Sequence, residues 1–145
     1  GIAGEVGEVV LAMLDRAPSE TFVEELGDVE FYFEGLQQGL EKPVRATVQS
    51  RSRAFDAFSL VMRMQITASS ILDEAKKAAV YNREPNIDKL VFLMFRLRKQ
   101  LDILYVQSNV TREQVLDSNI AKLQKRYEGL QYSDKAANAR RDKQG

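Results

Sequence analysis

The chain contains no cysteine, no histidine and no tryptophan, and only three prolines interrupt its 145 residues. Without cysteine there are no disulfides, no thiolate zinc sites and no thiol redox chemistry. Without histidine there are no imidazole-based nucleophilic triads, so any metal must sit on oxygen ligands. No apolar run approaches the roughly 20 residues that span a bilayer, and no charged-then-apolar leader opens the chain. A soluble, cytoplasmic protein with no membrane partner is the expectation. The formal net charge is zero, and the arginines Arg51 and Arg53 of SRSRAF are weak support for a nucleic-acid contact. Nucleic-acid binders usually carry a basic face, so no nucleic-acid partner is expected.

Hydrophobic residues make up 44% of the sequence, enough for one domain with a real core. They recur at three- and four-residue intervals almost throughout, which reads as an all-α fold. A first helix is predicted from about Gly1 to Leu14, with Val6, Val9, Val10, Met13 and Leu14 on one stripe. DRAPSE then breaks it. Thr21 with Glu24 has capping-box spacing, placing the start of a second helix that runs to about Leu40. A long helical stretch covers Val44 to Tyr81, with a bend expected near Ser69 and Ser70. Beyond the turn NREPN, further helices are predicted over Ile87 to Val106 and, capped by Thr111, over Arg112 to Arg126. Phe55, Phe58, Met62, Met64, Phe92, Met94 and Phe95 stand at helical spacing and are expected in the core.

The architecture expected is a helical bundle of antiparallel hairpins forming a single domain over 1–145. Helix, proline-containing turn and helix occur twice, from Gly4 to Gly39 and from Leu72 to Asn109. Such an order is consistent with an internal tandem repeat whose second copy, within 44–110, is degenerate. The positions matching the first copy's acids hold no comparable carboxylates there. In this division, 1–42 is an acidic hairpin and 111–145 a basic segment and tail.

Charge is unevenly spread along the chain. Residues 1–42 carry ten acids against only Arg16 and Lys42, whereas from Lys122 onward seven cations face three acids. Charge runs are usually solvated faces, but these acids have a register. In GEVGEVV, Glu5 and Glu8 stand three apart, and in EELGDVEFY so do Glu25 and Asp28. Residues three apart share a helix face. In an antiparallel hairpin, residues at one height have a constant index sum, and 5 + 28 and 8 + 25 both equal 33. Four carboxylates at one level repel one another unless a hard cation joins them. Mg²⁺ is the expected ion, with Mn²⁺ as the alternative. Gly4, Gly7 and Gly27 lie beside the acids, where missing side chains allow close approach at a helix-propensity cost of about 1 kcal/mol each.

The two acidic pairs resemble the Glu-x-x-Glu, spacer, Glu-x-x-Asp signature of the MazG-like all-α nucleoside triphosphate pyrophosphohydrolases, a superfamily that includes dimeric dUTPases and dCTP pyrophosphatases. NIAKLQKRYEGLQYSDKAANARRD is similar to the segment that follows the metal helices in many members. Together the two matches cover about sixty residues. The resemblance implies Mg²⁺-dependent hydrolysis between the α and β phosphates of a nucleoside triphosphate, giving a monophosphate and pyrophosphate. Glu5, Glu8, Glu25 and Asp28 would be metal ligands and catalytic groups. Asn119, Lys122, Arg126, Tyr127 and Arg140 would bind substrate, and a homodimer is implied. About ninety residues separate Asp28 from Asn119, more than the compact family pattern, as though one chain rebuilt what smaller members assemble between subunits. Family members also carry a helix before the first acidic pair that helps form the base pocket, and a segment ahead of Gly1 is expected to supply it. Two alternatives stay open: a phosphoribosyl-ATP type of pyrophosphohydrolase, and a non-catalytic helical module that binds a nucleotide or a partner.

Overall fold

The structure, a computed structural model, describes residues 1–41 and 56–127. Its described residues form five helices: α1 (Ile2–Leu14), α2 (Ser19–Leu40), α3 (Ala57–Val80), α4 (Ile87–Gln107) and α5 (Arg112–Arg126). The all-α bundle expected from the periodicity is what forms. Helix α1 packs on α2 and α3, α3 packs on α4, and α5 lies on α2. No described helix is long and apolar enough to cross a membrane.

Local chemistry explains most of the boundaries. After α1 the chain turns through Arg16, whose φ is 50°, and the N–H groups of Asp15, Arg16 and Ala17 bond back to α1 carbonyls. Helix α2 starts at Ser19 with Pro18 as its N-cap and no capping side chain, so the capping box predicted at Thr21 does not form. Proline already holds a helix-compatible φ and lacks the N–H that a cap would have to satisfy, so the helix begins one residue after it. The predicted bend near Ser69 and Ser70 is also absent, because α3 is continuous there. Ser70 Oγ donates to the Ile66 carbonyl at 2.9 Å, satisfying its hydroxyl within the helix instead of breaking it. The start of that stretch, 44–55, lies outside the described residues; the first residue described beyond it, Asp56, caps α3 by accepting from Ser59 N–H at 2.7 Å. The capping box at Thr111 forms as predicted, with Gln114 as its partner.

The core is built from Val6 and Val9 of α1, Leu26 and Val29 of α2, Leu60 and Met64 of α3, and Met94, Leu97, Leu101 and Leu104 of α4, all sealed from solvent. Of the aromatic and methionine set expected there, Met64 and Met94 are fully buried, whereas Phe58, Met62, Phe92 and Phe95 are exposed. They lie on faces of α3 and α4 that no other described helix covers. Phe55 lies outside the described residues. The two hairpins differ in proportion, 13 and 22 residues against 24 and 21, and this pairing does not establish a duplication.

A buried polar cluster ties α4 to α2 and reaches the start of α5. Arg98 donates to both oxygens of Glu30 at 2.7 Å each, Tyr105 Oη donates to Glu30 Oε1 at 2.6 Å, and Arg98 also donates to Asp102 at 2.8 Å. Arg112, the first residue of α5, lies 3.5 Å from the same Glu30 oxygen. Burial alone would raise the Glu30 pKa, but the bonds and charge of Arg98, with Tyr105 and Arg112, more than reverse that and lower it. Burial and the adjacent carboxylate keep the Tyr105 phenol protonated. Between α3 and α4, Glu74 accepts from Asn86 N–H at 3.2 Å with Lys89 at 3.3 Å. The backbone bond first, and then Lys89, lower its pKa as well.

These two carboxyls set an acid limit on stability. Both have folded pKa values below the ordinary 4.5, so on acidification the unfolded chain takes up their protons first. Their stabilisation is complete above about pH 4.5 and is withdrawn as pH falls through the folded values. Melting temperature is expected to be insensitive to these groups from about pH 7 to 5 and to drop below about pH 4.5. Melts that stayed level to about pH 3 would contradict the assignment.

Candidate metal centre

Helices α1 and α2 bring together three of the four predicted carboxylates. One oxygen each from Glu5, Glu25 and Asp28 lies within 4.8 Å of the others. The register expected for the hairpin thus holds for Glu5 and Asp28, with Glu25 one turn away on the same face of α2. Glu8 does not join them: it is exposed on α1 and outside the cluster.

The donor set suits a hard cation. All three ligands are carboxylate oxygens, and an octahedral Mg²⁺ with bonds near 2.1 Å places its oxygens about 3 to 4 Å apart. Sharing one ion would require the three oxygens to draw closer together. Without an ion, neighbouring carboxylates repel one another except where other groups offset their charge.

The third wall of the site is α5, nearly a hundred residues further on. Lys122 Nζ lies 2.6 Å from Asp28 Oδ2, and Asn119 Nδ2 donates to Asp28 Oδ1 at 3.4 Å. The Lys122 side chain is only 4% exposed. The buried residues of α5 are Val115, Asn119 and Lys122, one apolar and two polar. Its docking on α2 therefore depends on the Asp28 contacts as much as on hydrophobic burial. Arg126 follows Lys122 by four residues on the same face, and Tyr127 ends the helix, both half-buried. Arg140 lies outside the described residues.

Gly27 permits this approach. A Cβ placed there would stand 3.0 Å from Asn119 Cβ and 3.3 Å from the Val115 carbonyl oxygen, and neither can retreat without moving α5. Gly4 and Gly7 have no such reason: nothing lies within 4 Å of the first, and Gln65 Oε1 at 3.5 Å is ordinary contact for the second. Gly7→Ala is therefore expected to stabilise the protein by about 0.5–1 kcal/mol. Gly27→Ala should forfeit that gain to overpacking, which typically costs about 1–3 kcal/mol. Chemical denaturation of the two variants measures the contrast, and equal stabilisation would show that α5 does not press on Gly27.

Beside the cluster, a groove of about 770 Å³ opens between the first turns of α2, the α4–α5 turn and α5. Its lining includes Glu24, Gln114, Ser118, Lys122 and Lys125. Lys122 is common to the groove and the carboxylate cluster. Sequence reasoning did not anticipate Gln114 or Ser118 as wall residues, and only the three- and four-residue spacing of Gln114, Ser118, Ala121 and Lys125 marks them as one face.

Compared with protein-family models, curated proteins and solved structures, the chain matches none. The functional reading therefore rests on the residues and their geometry.

Proposed function

We propose that the chain is a divalent-metal-dependent nucleoside triphosphate pyrophosphohydrolase of the MazG-like kind, cleaving between the α and β phosphates. The observation that carries this reading is the contact of Asp28 with Lys122 and Asn119. Two sequence segments singled out separately, one acidic and one basic, meet at a single carboxylate.

In this reading Glu5, Glu25 and Asp28 hold the cation. A divalent ion bound there would polarise a phosphoryl oxygen and lower the pKa of a coordinated water. Lys122 and Lys125 neutralise phosphate charge in the groove, and Asn119, Gln114 and Ser118 supply hydrogen bonds to phosphate or sugar. Glu8, one turn from Glu5 on α1 and exposed, would in this reading orient the attacking water or take its proton. Water adds to the α phosphorus, the bond to the α–β bridging oxygen breaks, and pyrophosphate leaves.

A second reading, a non-catalytic helical module, draws on Phe58, Met62 and Ile66, which form an exposed apolar line along α3. One experiment separates the two. A panel of nucleoside triphosphates with Mg²⁺ is assayed for pyrophosphate, comparing the wild type with Glu25→Gln. Pyrophosphate release that requires Glu25 is expected. No product from any substrate, or turnover indifferent to Glu25, would reject the hydrolase, and inorganic phosphate as the direct product would move cleavage to the β–γ bond.

A further inference from the structure

We propose that Lys122 is a built-in counter-ion of the carboxylate cluster, seated on Asp28 until a divalent cation displaces it and then turned into the groove to meet the anionic substrate. The inference rests on the metal-site reading above and adds an order of events to it.

Three observations carry it. The Lys122 ammonium sits 2.6 Å from Asp28, one of the three carboxylates that share the 4.8 Å cluster. A cation at that oxygen and a divalent ion among the same oxygens exclude each other electrostatically. The ammonium carries a single charge, whereas a divalent ion carries twice that and would be shared among the three carboxylates. Lys122 also lines the groove, and its long flexible stem lets the ammonium change partner while α5 stays in place. Besides its Asp28 contacts, α5 is held by buried Val115 and by Arg112 against Glu30. Cation and anion would then bind cooperatively: the metal frees Lys122 for the phosphates, and by linkage the anion favours the metal-loaded state to the same degree.

The test uses the full chain and Mn²⁺ alone, with free ion counted by electron paramagnetic resonance. Lys122→Met is expected to bind Mn²⁺ about tenfold or more tightly than the wild type. Lys122→Arg, which keeps the charge, should stay at the wild-type affinity. Without metal, Lys122→Met should melt lower than the wild type, and its Mn²⁺-induced rise should be larger, because the vacated charges then depend on the ion. At saturating Mn²⁺, calorimetry with inorganic tripolyphosphate should show weaker anion binding by the same variant. Lys122→Gln, which keeps a donor without the charge, repeats both measurements if the methionine variant does not fold. Wild-type Mn²⁺ binding that depends on Glu25, with no tightening in either neutral variant, would overturn this inference alone. Binding in wild type and variants no stronger than in Glu25→Gln would overturn the metal site and the inference together.

Discussion

Replacing Arg98 by alanine is expected to cost about 3–5 kcal/mol of folding stability, because it strands the Glu30 charge in the bundle interior. Glu30 is 3% exposed, and Arg98 supplies two of its hydrogen bonds. Tyr105 and the more distant Arg112 remain, but neither is a charge in the buried position that Arg98 holds. The Arg98 guanidinium also lies 5.3 Å from the Phe33 ring centre, so truncation removes packing as well as charge. Lysine should not rescue it, since a single ammonium cannot reproduce the two-pronged contact. The pair Glu30→Met and Arg98→Met should recover most of the loss, because apolar groups of similar volume avoid the cost of burying ions. Denaturant unfolding of the single and double variants measures this. The double variant should also lose part of the acid-induced fall in melting temperature. An Arg98→Ala cost below about 1 kcal/mol would mean that the pair behaves as a surface ion pair does.

The same cluster marks where the sequence can be read and where it cannot. Helix periodicity and the Thr111 box are legible because they are local, set by residues three or four apart. The carboxylate hairpin is legible because a short turn fixes the register of its two helices. Glu30 and Arg98 escape notice because each is charged and charges are normally solvated. The signal available is position: Glu30 falls in line with Leu26, Val29 and Phe33, and Arg98 falls in the stripe of Leu90, Leu93, Met94, Leu97, Leu101 and Tyr105. Opposite charges on two apolar stripes mark a candidate buried pair, but their partnership across 68 residues needs the tertiary fold. Phe58, Phe92 and Phe95 show the converse error, since apolar periodicity cannot tell which side of a helix has a neighbour. The four-carboxylate expectation holds in register for Glu5 and Asp28, whereas Glu8 stands outside the cluster, since equal index sums fix height along a hairpin and not the rotation of each helix about its axis.

Glu25→Gln is expected to lower kcat/KM for the preferred triphosphate by at least about a hundredfold while leaving the metal-free protein folded. The substitution keeps the shape of the side chain and removes one of three clustered charges, so like-charge repulsion falls when no ion is present. The fold should be retained without metal, and the Mg²⁺-induced rise in melting temperature should shrink. Loss of activity without loss of fold is the signature of a group retained for chemistry at some cost to stability. Asp28→Asn should lose activity to a similar degree but melt lower, since Asp28 also holds Lys122 and Asn119 and through them α5. Glu8→Gln should lose less, about tenfold or below, if a carboxylate outside the cluster assists the water without being essential to holding the ion. Steady-state rates for the three variants, paired with melts in chelator and in Mg²⁺, test this ranking. A Glu8→Gln loss as large as that of Glu25→Gln would bring the fourth carboxylate back into the metal shell, requiring α1 to rotate or the Glu8 side chain to swing inward when the ion binds. Activity surviving Glu25→Gln would leave the three carboxylates as a structural feature and remove the chemistry assigned to them.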